Sequence, residues 1–117
     1  MRVAAVISDL MLYSRIESAA TAAGASLIRV DSPSELRDDL DLVLVDWSAR
    51  RPNWAEALVG VGGTAARVIL FGQHTDLEAH AAARAAGLGP MWARSKFLVE
   101  LGSLLSAAGA PVQHGAR

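Results

Sequence analysis

Two aspartates stand where a short apolar run of the sequence ends. Asp9 comes shortly after the run 3–7, and Asp46 follows the run 42–45. Both runs are too short for a helix and are rich enough in aliphatic residues to predict buried strands. Carboxylate oxygens suit Mg²⁺, and a carboxylate can also accept a phosphoryl group as a nucleophile. An aspartate after a strand often caps a helix or closes a turn instead. Such a structural role is therefore the alternative to a chemical one for both Asp9 and Asp46.

The elements that must position these aspartates are predicted by an alternation of apolar runs and helical spacing. Gly24 is expected to end the first helix, and Ser32 with Glu35 has the spacing of a capping box. A second capping box is predicted at Thr75 and Glu78. The predicted strands are 3–7, 26–30, 42–45, 68–71 and 90–92, and five helices are predicted at 11–23, from Pro33, from Pro52, at about 75–86, and after Ser95.

Strands that alternate strictly with helices are parallel and are joined by right-handed crossovers. Five strands in this length predict an α/β fold with a doubly wound parallel sheet in the order 2-1-3-4-5. The first and third strands are neighbours in that order. We therefore expect Asp9 and Asp46 to meet at the carboxyl edge of the sheet.

The order of elements, together with Asp46 at the end of its strand, resembles the receiver domains of two-component response regulators. The resemblance covers roughly residues 2–107. It implies a flavodoxin-like fold in which Asp46 is the phosphoacceptor. It also implies a Mg²⁺ ion held by Asp9 and Asp46, and a histidine kinase as partner, if phosphorylation is retained.

Several residues depart from the pattern of that family. The family has an acidic pair after the first strand, where this chain has Ser8 and Asp9. It has a serine or threonine at the end of the fourth strand, whose hydroxyl moves towards the phosphoryl group, and Gly72 matches that position, followed by Gln73. A phosphoryl group needs a metal and a fixed cation to offset its charge. These departures are therefore typical of a pseudo-receiver, which keeps the scaffold without normal phosphorylation.

The family's lysine after the fifth strand has two counterparts here. Spacing favours Arg94, whereas Lys96 lies two residues later, and neither is followed by the family's proline. A lysine near a helix start is also an ordinary solvated side chain. We include Arg94 and Lys96, with Ser8, Gly72 and Gln73, in the predicted pocket around Asp46.

Three tryptophans fall at or near the same edge of the sheet. Trp47 follows Asp46 directly, Trp54 begins the predicted third helix, and Trp92 ends the fifth strand. Partly exposed tryptophans are common anchors in protein interfaces, so all three are predicted interaction residues. The alternatives are packing at the periphery of the core, or filling of the space that a hydrated metal and a phosphate need.

Composition excludes several classes of function. The net charge of the 117-residue chain is −1, with 11 basic and 12 acidic residues, which argues against a general nucleic-acid binder. The chain has no cysteine, so disulfides and thiolate sites are excluded. No apolar run approaches 18 residues, so no membrane span is predicted. We expect a cytoplasmic receiver-like domain over residues 1–108 and a short flexible tail over 109–117.

These patterns favour a stand-alone, non-enzymatic signalling domain that acts through a protein partner or as a homodimer. No cofactor is required on this interpretation. Two alternatives remain. The chain could be a working phosphoacceptor of a phosphorelay, phosphorylated on Asp46 with the help of Mg²⁺. It could also be a small flavodoxin-like ligand-binding module, although no pair of nucleophile and base supports catalysis.

Overall fold

The computed structural model describes residues 1–62 and 66–109, and the predicted tail therefore lies outside the described residues apart from Gly109. Five strands and four α-helices alternate along the described chain. Two single 3₁₀ turns, Pro33–Glu35 and Trp47–Ala49, follow β2 and β3. The elements are β1 Arg2–Val6, α1 Leu10–Ala22, β2 Ser26–Val30, β3 Leu42–Asp46, α2 Trp54–Gly62, β4 Arg67–Gly72, α3 Leu77–Ala85, β5 Trp92–Ala93 and α4 Arg94–Gly109.

All five strands are parallel and form one sheet in the order β2-β1-β3-β4-β5, which confirms the predicted topology. In β1, Val3 and Ala5 face α1 and α4, while Ala4 and Val6 face the side covered by α2 and α3. The central strands are buried on both faces, which explains why they read as continuous apolar runs. The sheet thus brings the ends of β1, β3, β4 and β5 to one edge.

The helix predicted from Pro33 is reduced to a single 3₁₀ turn. Its capping box forms as predicted, with Ser32 and Glu35 as partners, but the backbone becomes extended at Leu36. Continuing the helix would place aspartates near its C-terminus, where the helix dipole disfavours negative charge. Two of them bind the start of β1 instead. Asp39 pairs with the Arg2 side chain, and Asp41 accepts from the Arg2 N–H at 2.7 Å.

Other boundaries differ from the predictions by one or two residues. Helix α3 is capped by Asp76 rather than by Thr75, and the Asp76 carboxylate accepts from the Ala79 N–H at 3.0 Å. Strand β5 is displaced to Trp92 and Ala93. Helix α4 therefore begins at once, and its first residue lies at the carboxyl edge of the sheet. Gly24 ends α1 with a φ of +71°, as the sequence predicted.

Helix α4 is attached to the sheet by an aromatic stack. Phe97 is fully buried and lies over Phe71 of β4, with ring centroids 4.1 Å apart and an angle of 10° between the rings. Leu101 and Leu105 continue the buried stripe of the helix. The stack holds the first turn of α4 close to the end of β4, where the polar residues of the edge lie.

The Phe71–Phe97 stack is expected to be a main contributor to stability. Phe97→Ala should lower the free energy of unfolding by about 3–5 kcal/mol because it removes a fully buried ring and leaves a cavity. Urea unfolding followed by circular dichroism measures this. Val99→Ala is the matched control in the same helix. Val99 is 78% exposed, so its change should stay within about 0.5 kcal/mol. Equal losses in the two variants would contradict the role of the stack.

Candidate functional site

A cavity of about 220 Å³ opens at the carboxyl edge of the sheet, beside the end of β3. Asp46 is the acidic residue of its lining, and Arg94 is the basic one. The remaining lining residues come from two segments that end or follow strands. They are Ser48 and Ala49 after β3, and Gly72 and Gln73 at the end of β4. Ligands of open α/β sheets bind in the crevice at this edge, so this cavity is the candidate functional site.

Asp46 is held at the floor of the cavity by the strand that carries it. It is the last residue of β3, pairs in register with Phe71 of β4, and is half-buried. Burial raises the pKa of Asp46 above its ordinary value, and the charge of Asp9 adds to that rise. The positive charge of Arg94 opposes it, as do the nearby backbone amides of Ser48 and Ala49. None of these amides makes a capping hydrogen bond to the Asp46 side chain.

Asp9 has the opposite environment. It is the N-cap of α1, and its Oδ1 accepts hydrogen bonds from the backbone N–H groups of Met11 at 3.0 Å and Leu12 at 3.1 Å. Its Oδ2 accepts from the Arg94 guanidinium at 3.1 Å. The hydrogen bond from the Leu12 N–H is the largest cause of the lowered pKa of Asp9. Desolvation is the second and opposes it, while the hydrogen bond from Arg94 lowers the pKa further. The two carboxylates of the site thus lie in environments that shift their pKa values in opposite directions.

Arg94 links the two carboxylates. It is the first residue of α4, bonds to Asp9, and lines the cavity that contains Asp46. Its side chain is 43% exposed, so the ion pair lies at the mouth of the cavity. Lys96, the other predicted cation, lies elsewhere. Its Nζ is 4.6 Å from the ring centroid of Trp92, and it does not line the cavity.

A Mg²⁺ ion held by Asp9 and Asp46 would have to compete with the Arg94 guanidinium for the Asp9 carboxylate. Both Asp9 oxygens already have partners, and the Arg94 guanidinium holds the oxygen that faces it. In residues 1–62 and 66–109 no group of three or more histidine, cysteine or acidic side chains could hold a metal ion. Ser8, which stands where a further acid is expected from the resemblance, lines a different crevice with Asp31, Arg51 and other residues.

Two of the three tryptophans are core residues, which corrects their expected exposure. Trp47 is 1% exposed, and its indole Nε1 donates to the Ala79 carbonyl at 2.9 Å. Trp54 is 5% exposed. Both belong to the core cluster on the side of the sheet that α2 and α3 cover, which also contains Ala79. Only Trp92 keeps an accessible ring among these three.

Ser48 is the site residue that sequence reasoning missed. Its hydroxyl oxygen accepts from the Gln73 backbone N–H at 3.0 Å, so it joins the loop after β3 to the loop after β4. The sequence gives only a weak indication of this role. It shows a serine two residues after Asp46, but whether that serine lies near Gly72 depends on how the turn folds. Of the predicted pocket residues, the cavity therefore brings together Asp46, Gly72, Gln73 and Arg94.

Comparison with solved structures identifies the architecture. The chain matches a response regulator receiver domain protein from Clostridium thermocellum with a TM-score of 0.66 and 15% identity, over 92% of each chain. It matches a response regulator from Thermotoga maritima with a TM-score of 0.68 and 16% identity, over 92% of this chain and 95% of that one. A response regulator receiver protein from Burkholderia phymatum gives 0.68 and 21% identity, over 92% and 93%.

The chain has the fold of a receiver domain. A scan against protein-family models finds no match, and a search of curated proteins finds none either. The receiver fold places Asp46, Arg94 and the end of β4 around one cavity, as described above. No helix in the described part of the chain is long and apolar enough to cross a membrane.

The two carboxylates are expected to respond to pH in opposite directions. Burial raises the pKa of Asp46, so its ionised form destabilises the fold, and this effect is absent below its ordinary pKa of about 4. Asp46→Asn should therefore be more stable than the wild type at pH 7, and the gain should disappear towards pH 3. Urea unfolding at several pH values measures it.

Asp9→Asn provides the contrast. The pKa of Asp9 is lowered in the folded state, so its charge stabilises the fold above the ordinary pKa, and that contribution is lost as pH falls through the folded value. Asp9→Asn should be less stable than the wild type at pH 7, and the two should converge in acid. The same sign for both variants would show that the two environments are not distinct.

Removal of Arg94 is expected to create affinity for Mg²⁺. Arg94→Ala frees the Asp9 Oδ2 and removes a positive charge beside both carboxylates, and each change favours a divalent cation. Titration followed by amide NMR signals near Asp9 and Asp46 should show little response in the wild type and a saturable response in the variant. Lys96→Ala, which removes a charge from the Trp92 ring instead, is the control and should behave as the wild type does.

Proposed function

We propose that this chain is an atypical receiver domain, a pseudo-receiver, that works in the cytoplasm through protein contacts and without phosphorylation of Asp46. The observation that carries the proposal is the ion pair between Arg94 and Asp9. The ion pair engages the carboxylate of Asp9, which a metal-dependent phosphoacceptor would need as a ligand for Mg²⁺. On this proposal the domain has no catalytic activity and requires no cofactor.

Charge balance supports the proposal. The site holds two carboxylates, Asp9 and Asp46, and one guanidinium, Arg94, so it already carries one negative charge when both acids are ionised. A phosphoryl group on Asp46 would add further negative charge in a half-buried position. Without a divalent cation only Arg94 would offset it, and stabilisation of transferring phosphoryl groups relies on such cations.

The surface around β5 supports a role in protein contacts. Leu77 in the first turn of α3 is 76% exposed, and Val99 of α4 is 78% exposed. The accessible Trp92 ring lies on β5, and α3 and α4 precede and follow that strand. Receiver domains often use the face formed by the corresponding helices and strand. The proposed partner is a second copy of this chain or another signalling protein, and exposed apolar residues suit either.

A working phosphoacceptor is the second candidate function. The observation that favours it is the cavity itself, because it opens directly beside Asp46 and Arg94 lines it. In this case Arg94 would leave Asp9 and pair with the phosphoryl group. A histidine kinase would be the partner, and Asp9 would then be free to hold Mg²⁺ together with Asp46.

Native mass spectrometry with acetyl phosphate and Mg²⁺ separates the two functions. We expect no species heavier by one phosphate, because the site lacks a free metal acid. A receiver domain that is known to take phosphate from acetyl phosphate, mixed into the same tube, is the positive control. A mass gain of one phosphate in the wild type that is absent from Asp46→Asn would overturn the pseudo-receiver proposal and establish the phosphoacceptor.

The same spectra report the mass of the assembly. If the chain self-associates through the α3 side of β5, Leu77→Asp should release monomers. Val59→Asp is the matched control, because Val59 is a 51% exposed aliphatic residue on α2, a helix that neither precedes nor follows β5. Dissociation by Val59→Asp alone would place the contact elsewhere. A monomer in all three samples would leave a different protein as the partner.

A further inference from the structure

Position 72 has no room for a side chain, while its backbone conformation is one that other residues also adopt. It ends β4 at the wall of the Asp46 cavity and lies directly against Ser48. A Cβ atom at position 72 would overlap the Ser48 Oγ. It would also lie 2.8 Å from the Met91 Sδ and 3.2 Å from the Ser48 Cβ. The hydroxyl of Ser48 thus fills the volume that a side chain at the end of β4 would need.

Ser48 is fixed from two sides. On its own side it belongs to the 3₁₀ turn after β3, which is anchored by the buried Trp47 ring. On the other side its oxygen accepts the Gln73 N–H at 3.0 Å. A hydroxyl that accepts one hydrogen bond still has a proton to donate, and the Asp46 carboxylate is the anionic acceptor that lines the same cavity.

The hydrogen bond between Ser48 and Gln73 completes a closed circuit. The Gln73 carbonyl accepts from the Asp76 N–H at 3.0 Å, and the Asp76 carboxylate accepts from the Ala79 N–H at 3.0 Å. The Ala79 carbonyl accepts from the Trp47 indole at 2.9 Å. Trp47 precedes Ser48 in the chain, so the circuit joins the turn after Asp46 to the first turn of α3.

We infer that Ser48 is the hydroxyl-bearing positioning residue of the Asp46 cavity, that Gly72 is its steric complement, and that Ser48 couples the cavity to the start of α3. This inference deepens the proposed function, on which it rests, because Leu77 of the proposed contact face lies in that first turn. A group that enters the cavity beside Asp46 and displaces the Ser48 side chain would break the circuit at Gln73.

A double-mutant cycle tests the steric part of the inference. Gly72→Ala in the wild type should raise the unfolding equilibrium constant at least about tenfold, a change of about 1.4 kcal/mol. In a Ser48→Gly background, which removes both the hydroxyl and the Cβ, the same substitution should have an effect at least about three times smaller than in the wild type, because only the contact with the Met91 Sδ remains. The cost of a glycine at position 48 cancels in the cycle. Equal effects in both backgrounds, within about twofold, would overturn the inference.

The cycle remains decisive if Gly72→Ala fails to fold. In that event recovery of a folded protein in Ser48→Gly/Gly72→Ala supports the inference, and failure of the double variant overturns it. The variant Ser48→Gly/Gly72→Ser goes further, because it moves the hydroxyl from the loop to the end of β4. It should be folded and more stable than Gly72→Ser alone.

The coupling to α3 is measured by NMR on Ser48→Ala, which keeps the Cβ and removes the hydroxyl. Amide signals of Gln73 and of residues 77–79 should shift together, and the Ala79 amide should exchange with solvent several-fold faster. Ser106→Ala is the control, since Ser106 is an exposed serine of α4. Shifts confined to Gln73, with residues 77–79 unchanged, would overturn the coupling.

These measurements are independent of phosphorylation. If the wild type takes a phosphate on Asp46, the pseudo-receiver proposal fails while the cycle and the NMR results still decide the role of Ser48. If the cycle is additive and no phosphate is taken, the inference fails and the proposed function stands. The two failures therefore give different results.

Discussion

The site depends on the burial of β3 on both of its faces. Four consecutive residues of this strand, Leu42 to Val45, are completely enclosed between β1, β4 and the two helical layers. A strand of this kind meets water only at its ends. Asp46 is the first polar residue after the apolar run, so the layered fold alone fixes its position. The turn that follows must reverse direction over the α2–α3 layer, and the Trp47 ring makes this possible by entering that layer.

The two carboxylates at this edge show how environment gives the same side chain different properties. Asp9 has amide donors and a guanidinium, so its charge is stabilised. Asp46 is half-buried, so desolvation raises its pKa and disfavours its charge. Groups that are kept at a cost to stability tend to mark functional positions. Arg94 forms an ion pair with Asp9 and also lines the cavity that contains Asp46. One side chain therefore acts on the charges of both carboxylates.

Much of the fold could be predicted from the sequence, because buried parallel strands leave an unmistakable apolar pattern. The run 42–45 and the aspartate after it were located directly, and so was the glycine that ends α1. The helix at Pro33 was wrong in extent, since its capping box says where a helix starts and not how far it goes. The residues that follow it, Asp39 and Asp41, instead bind the distant Arg2.

The candidate site was predictable only in part. Asp46, Gly72, Gln73 and Arg94 line one cavity because each lies at the end of a strand, and strand ends can be read from the sequence. The position of the Ser48 side chain could not be predicted from the sequence. It depends on the 3₁₀ turn after β3 and on the space left by the missing side chain of Gly72, 24 positions later in the chain. The sequence also left open whether the tryptophans are interface anchors or core residues, because a position near a strand end says little about which way a ring points. Trp47 and Trp54 follow the second alternative.

The shortness of β5 limits how copies of this chain can assemble. A two-residue strand at the border of a sheet offers very few free backbone groups, and Pro90, two residues before it, has no N–H to donate. Growth of the sheet by addition of a strand from a neighbouring molecule is therefore disfavoured on this side. Assemblies built here have to use side chains of α3 and α4, so their specificity can change by surface substitution without any change to the sheet.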